Sequence, residues 1–461
     1  MTVLTVLATL AVSVAAHAGS SDRILMHRNG LRGVAYAQLS VAGAPSSAGN
    51  LSGSALRKFA LDGDGAVNVR GNLYPVDVDG DGSWEFVHFN GYRIMRVFRQ
   101  DGTKLWQITN PSGRVHRSWS HRDTLAVIDL NGDRKQEIVH CWVEGGTKLV
   151  ARNGATGQVI KSVSIPGSGS GSECQIAAFN FADLGKPLIL VAGKSTASCK
   201  GNFEDTWSGT IAFDTNLNLK WRTNTCSAGH YVWAAESNGQ AVSSVFVGKY
   251  QINSKGSILC TLPGWGGDHI DSISIGDADP TKAGNEAITV GRSGTRMYSL
   301  GSTGKSCTPL WSKGNGDFLN AQYVFFAKLK PGTPGLNIAI REEPTSKAVT
   351  HYLYFTDYKG NKIATTRGTY YSKIPMQNAN LDGQRGTDEL AGAYGEVLGV
   401  DGSTRLTRSW YWGLQPLSSS EKSLVPPEQW AARPLWFDIN KDGREELITW
   451  GRNTLVIGRI N

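Results

Sequence analysis

Short runs of β-branched and aromatic residues, broken by clusters of Asp, Asn and Gly, recur along the chain from about residue 70. They are clearest in PVDVDGDGSWEFVHF from Pro75, AVIDLNGDRKQEIVHCW from Ala126 and LWFDINKDGREELITWG from Leu435. An apolar run, an acidic turn and a second apolar run read as strand, turn, strand. Weaker copies start at Ile176, Val232, Ile273, Tyr323 and Ile374. Eight such units recur about every 52 residues, close to the ~40–50 of propeller blades. A further hairpin follows in most units, signalled by QDGTKLW near Asp101, RNGATG near Asn153 and VDGSTRL near Asp401. The eighth unit stops after one more strand, NTLVIGRIN.

The pattern predicts an all-β fold: a single β-propeller of eight blades, or seven if one weak unit is irregular. Its last blade lacks an outer strand, and the N-terminal segment, somewhere in residues 23–70, is expected to supply it and close the ring. Strand alternation then separates two faces. The acidic turns between the first and second strands lie on one face. The residues ahead of each first strand and after each second strand lie on the other.

Composition agrees. Glycine takes 55 of 461 positions, well above the usual ~7 %, as a turn-rich chain requires. Residues Met1 to Ala18 form an apolar stretch ending in Ala16-His17-Ala18. It is short for a membrane span and reads as a secretory signal peptide without a charged start, leaving residues 19–461 as a single propeller domain outside the cell. The net charge is +8. It favours an anionic partner, yet Lys and Arg form no blocks, which argues against nucleic acid. No membrane partner is expected, and the chain is expected to act as a monomer.

Three of the acidic turns carry a hard-oxygen constellation: Asp77, Asp79, Asp81 and Glu85; Asp129, Asn131, Asp133 and Glu137; Asp438, Asn440, Asp442 and Glu446. Alternate side chains of a tight loop converge on one point, and the later glutamate completes a shell suited to structural Ca2+. The alternative is a set of Asx turns without metal.

The opposite face carries the candidate chemistry. His121, His230 and His269 each precede a first strand, so histidines far apart in sequence are expected at one channel mouth. The loop GRVHRSWSHRD adds Arg117 and Trp119, a cation beside an aromatic that suits an anionic sugar or, alternatively, a solvated loop. Lys194, Lys249 and Arg292 stand at second-strand ends, as solvated termini or as a positive funnel. His140 lies inside a second strand, with His88 at the matching place, where a core role competes with a catalytic one. Among six cysteines, Cys174 and Cys199 are the expected disulfide. Cys226 and Cys260 lie near histidines in order and offer either a disulfide or a Zn2+ site.

RDTLAVIDLNGDRKQEIVH and HIDSISIGDADPTKAGNEA resemble segments of rhamnogalacturonan lyases, and the pair His121 and His140 resembles that of ulvan lyases and L-rhamnose-α-1,4-D-glucuronate lyases. The resemblance runs from about residue 70 to the end. It implies a β-propeller polysaccharide lyase that cleaves rhamnose–uronate bonds by β-elimination, with the glucuronate or ulvan type ahead of rhamnogalacturonan. His121, His140 and His230 would then be catalytic, with Tyr370 and Tyr371 as weaker proton donors. Lys194, Lys249, Arg292, Arg117, Trp119 and His269 would bind substrate. On one regular hairpin His121 and His140 would stand ~15 Å apart, so the pair requires the segment after Ser120 to fold inward. A calcium-stabilised lectin or adhesion propeller without catalysis is the alternative.

Overall fold

The computed structural model describes residues 53–60, 72–90, 94–109, 125–143, 147–166, 174–193, 209–226, 229, 233–235, 242–266, 268–301, 304–314, 316–327, 334–342, 351–368, 377–379, 389–391, 397–398, 404–406, 433–437, 439–440, 446–450 and 454–460. These residues form strands and no helix. They assemble into eight four-stranded antiparallel sheets, one for each unit of the sequence pattern. Sheet 1 comprises Asn72–Val76, Glu85–Asn90, Ile94–Arg99 and Lys104–Thr109. Sheets 2 to 7 repeat that simple meander in chain order.

Sheet 8 is built from the two ends of the described chain. Arg433–Phe437, Glu446–Trp450 and Thr454–Ile460 supply three strands, and Gly53–Ala60 adds the fourth by antiparallel pairing with Thr454–Ile460. This leaves the chain's last strand with a partner on both sides, so it presents no open edge.

Neighbouring sheets bury their faces against each other. Tyr74, Val87 and Met95 of sheet 1 meet Leu125, Val127 and Ile138 of sheet 2. Sheets 2 and 3, 3 and 4, 4 and 5, and 5 and 6 share equivalent apolar layers. Sheet 8 packs on sheet 1 through Phe437, Ile439 and Ile448 against Leu73, Trp84 and Phe86. The Trp84 and Phe437 rings meet edge to face, their centroids 4.9 Å apart. Strands buried on both faces explain why the second-strand runs are almost continuously apolar. The architecture is propeller-like. Residues 1–18, expected as a signal peptide, lie outside the described residues.

The described disulfides involve cysteines other than the expected Cys174 and Cys199. Cys260 in the outer strand of sheet 4 is joined to Cys307, just ahead of the outer strand of sheet 5. Cys141 and Cys226 are also disulfide-bonded. Cys226 and Cys260 therefore offer no thiolate, and the Cys/His zinc site is excluded because a cystine sulfur does not provide the anionic ligand that zinc needs. Cys199 lies outside the described residues, and with it the Cys174–Cys199 pairing.

Candidate functional site

The acidic turns fold as their spacing requires. In sheet 1 both oxygens of Asp77 accept backbone N–H groups, from Gly80 at 2.7 Å and Gly82 at 2.9 Å. Asp129 repeats this with Gly132 and Arg134. Glu85, Glu137 and Glu446 are buried, and each accepts the N–H of the residue following its loop's first acidic position: Val78, Leu130 and Ile439. Oxygens of Asp77, Asp79 and Glu85 lie within 4.8 Å of one another. Burial, then the neighbouring Asp79, Asp81 and Asp77 charges, push the Glu85 carboxyl up to about 7. Glu137 rises equally, by burial and the charges of Asp133 and Asp129. Crowded carboxylates that resist ionisation together match a hard divalent cation, which would neutralise them. Asn131 and Asn440 each reach their loop's glutamate, at 3.4 and 3.1 Å. Asp438 and Asp442 lie outside the described residues.

The turn of sheet 5 shows the same arrangement. Glu286 is fully buried and accepts from both Ala278 and Asp279 at 2.9 Å. Burial first, and then Asp279 and Asp277, raise it to about 7. The sequence pattern missed this loop because Asp277 and Glu286 are nine positions apart, one more than in the other three.

At the other end of sheet 5, a connection from sheet 4 leads through Trp265, Asp268 and His269 into the strand Ser272–Gly276. Nε2 of His269 lies 3.1 Å from Oδ1 of Asp271, and Nδ1 lies 3.5 Å from Oδ1 of Asp268. The His269 side chain is 17 % exposed and that of Asp271 1 %. Oδ2 of Asp271 accepts from Gln322 at the start of sheet 6, at 3.1 Å. A buried carboxylate held from behind fixes the ring's orientation and, in the neutral imidazole, draws Nε2–H towards itself. Nδ1 is left with the lone pair.

Two cations meet the same connection. Nζ of Lys249 donates to the carbonyl of Gly266 at 2.9 Å, and burial holds its ammonium below the usual lysine range, partly offset by Asp268. Arg296 stacks on the indole of Trp265, and Tyr298 Oη donates to the Pro263 carbonyl at 2.7 Å. Arg292 is exposed at the end of the adjoining second strand. Of the residues picked out in sequence, the structure thus brings together Lys249 and His269 beside Arg292. It adds Asp268, Asp271, Trp265, Arg296 and Gln322, none of which has a repeat position to announce it.

His140 is corrected from catalysis to the core. It is 0 % exposed, and its Nε2 accepts from Arg152 Nε at 2.9 Å, with Arg152 also donating to the Gly157 carbonyl. Burial, reinforced by the Arg152 charge, lowers it to about 3, so it is neutral and out of reach of a polymer. His88 occupies the matching register, buried, and is lowered equally by burial and Arg96. His121, His230, Lys194, Arg117, Trp119, Tyr370 and Tyr371 lie outside the described residues.

No family model matches the chain. It is similar to rhamnogalacturonan exolyase YesX of Bacillus subtilis (strain 168), 23 % identical over 287 residues, which covers 49 % of this chain and 45 % of the relative. Rhamnogalacturonan endolyase YesW of the same organism is 22 % identical over 285 residues, with 49 % and 44 % covered. The chain thus spans about half the length of the curated relatives it matches. The crystal structure of YesW superposes with a TM-score of 0.59 at 17 % identity, covering 84 % of this chain and 71 % of that one. A rhamnogalacturonan lyase structure from Bacillus licheniformis gives 0.60 at 18 %, with the same coverage. The shared fold is therefore that of the group whose segments the histidine-bearing sequences resemble.

Proposed function

We propose that the protein is a secreted polysaccharide lyase, acting as a monomer, that cleaves rhamnose–uronate bonds by β-elimination and leaves an unsaturated uronate. The relatives make rhamnogalacturonan the leading substrate, ahead of the ulvan and glucuronate types. In this reading the eight sheets are the blades of one closed ring, completed by Gly53–Ala60. The observation that carries the proposal is the solvent-reaching His269, oriented by buried Asp271 at a rim that also holds Lys249, Arg292 and Arg296.

A lyase must remove the C5 proton of a uronate and expel the oxygen at C4. The proton becomes acidic only when the C6 carboxylate is neutralised and the developing enolate is stabilised by a nearby cation. Arg292 is proposed for that role, with Lys249 holding the loop through the Gly266 carbonyl. Nδ1 of His269 takes the proton. The imidazolium so formed lies between two carboxylates, Asp271 at 3.1 Å and Asp268 at 3.5 Å, which stabilise its charge. As the C5–H electron pair forms the new C4=C5 double bond, the C4–O bond breaks, and a second group protonates the departing oxygen. His121 and His230, each ahead of a first strand, are the proposed donors. Lys194, Arg117 and Trp119 are proposed to bind the flanking sugars.

The acidic turns are proposed to hold structural Ca2+, through Asp77, Asp79, Asp81 and Glu85 and the equivalent residues of sheets 2 and 8. Bound there, the ion would neutralise the crowded carboxylates and cross-link each loop, with no part in proton transfer. The proposal as a whole is tested by incubating the protein with rhamnogalacturonan, ulvan and gum arabic while following the ultraviolet absorbance of the unsaturated product. A rise on rhamnogalacturonan is expected. Binding to these polymers with no rise on any of them would instead identify a non-catalytic carbohydrate-binding propeller.

A further inference from the structure

Arg296 is a cation poised for a ligand that the described residues do not supply. It lies in the third strand of sheet 5, Gly294–Ser299, with its guanidinium carbon 4.4 Å from the centroid of Trp265. Nη1 donates to Ser293 Oγ at 3.2 Å and Nη2 to the Ser293 carbonyl at 3.4 Å. A guanidinium has five N–H donors, so two fix its plane and the rest are available. Among the described residues no carboxylate stands within ion-pair range of it. Lys249 contrasts with it, since that ammonium is buried and spent on the Gly266 carbonyl.

The platform beneath Arg296 is rigid. Trp265 is 2 % exposed. Its ring edge and the His269 carbonyl both crowd Gly291, where an added Cβ would come within 2.6 Å of each. Gly264 beside it has a φ of +88°, and a Cβ there would meet Arg296 Nε at 2.9 Å. Arg296 is therefore tied to His269 through an indole and a glycine, while the two side chains share no bond. A stacked, pre-oriented fork loses little freedom on binding and matches a carboxylate with two parallel hydrogen bonds. A role confined to holding Trp265 would need none of its remaining donors.

We propose that Arg296 is a carboxylate subsite that grips a uronate flanking the one presented to His269. The inference rests on the rhamnose–uronate reading above, because a polymer with a uronate in every repeat places a second carboxylate near the first.

Binding of a rhamnogalacturonan oligosaccharide of several repeats, and of its carboxyl-reduced counterpart, is measured by calorimetry in a His269→Ala background so that nothing is cleaved. Arg296→Ala is expected to weaken the charged oligosaccharide about tenfold to a hundredfold and leave the reduced one unaffected. Arg296→Lys, which keeps the charge and loses the fork, is expected to recover only part of the affinity. With His269 intact, KM should rise while kcat holds. Three results would overturn the subsite: unchanged affinity in Arg296→Ala, an equal loss for both oligosaccharides, or no binding by the parent. The lyase reading is judged separately, by unsaturated product from the wild-type protein. A charge-selective loss without that product would sink elimination and keep the subsite.

Discussion

Nε2 of His269 stands 3.1 Å from Oδ1 of Asp271, and the second oxygen of that carboxylate is held by Gln322, 51 residues further along the chain. One buried acid thus couples a histidine of sheet 5 to the first strand of sheet 6. A positioned general base is worth about 10²–10⁴-fold in rate. Asp271→Asn keeps the volume of the side chain but no longer stabilises the imidazolium. It is expected to lower kcat/KM within that range and to change the pH profile, with melting nearly preserved. His269→Ala should lose as much, and the double variant little more, because the two act as a unit. A double variant that loses the product of the two single losses would show that they act separately.

The choice of proton donor is tested in the same way. His121→Ala and His230→Ala are each expected to abolish turnover if they protonate the leaving oxygen, without lowering the melting temperature. A large fall in melting temperature would mark either residue as structural.

Metal removal should act on stability before activity. Chelation is expected to lower the melting temperature and added calcium to restore it. An ion at about 100 times its dissociation constant contributes about 2.7 kcal/mol of stability. Asp77→Ala and Asp129→Ala should each weaken the calcium response in part, since the sites lie in separate sheets. Loss of turnover on chelation at an unchanged melting temperature would place the metal at the histidine face instead.

The outer strands carry a second, regular device. Trp106, Trp221 and Trp311, in the outer strands of sheets 1, 3 and 5, each donate from Nε1 to a backbone carbonyl in the last hairpin turn of the next sheet. Their acceptors are Gly154 at 2.7 Å, Ser254 at 2.7 Å and Tyr358 at 2.9 Å. The ring of Trp106 closes on Gly157, whose φ is +73° and whose Cβ would come within 2.7 Å of it. In the outer strand of sheet 4, Cys260 makes the crossing instead, to Cys307. Trp221→Phe removes one hydrogen bond and is expected to cost about 1 kcal/mol, read by denaturant unfolding. Combining it with Trp106→Phe should add to within about 0.5 kcal/mol, as the pins are far apart. Reduction of Cys260–Cys307 is expected to cost about 2–4 kcal/mol.

Local patterns carried much of this molecule in the sequence. The acidic turns, the apolar second strands and the shortened final unit are all short-range signals, and the sheets follow them from Asn72–Val76 to Thr454–Ile460. The site was less legible because it depends on side chains from separate strands. Nothing in the sequence marks Asp271 or Arg296: the first takes its meaning from Gln322 and His269 on either side of it, the second from Trp265 beneath it. His140 failed for the opposite reason. A period-two strand pattern does not reveal that this histidine is fully buried, nor that Arg152 of the adjoining strand donates to it.

That buried position makes His140 and His88 sensors of acid. Each imidazole is held near 3 in the folded chain, chiefly by burial and then by its arginine, Arg152 or Arg96, against about 6.5 when unfolded. At each of these two sites the unfolded chain binds more protons between those values, so the contribution of the site to stability rises with pH there. The contribution is complete above about pH 6.5 and is lost progressively as pH falls towards 3. His88→Gln, which keeps a polar side chain and removes the titration, is expected to flatten the fall in melting temperature between pH 6.5 and 4, while unfolding at pH 8 shows only the cost of the substitution. An acid limb of unchanged slope in His88→Gln would mean that this histidine is not held neutral in the fold.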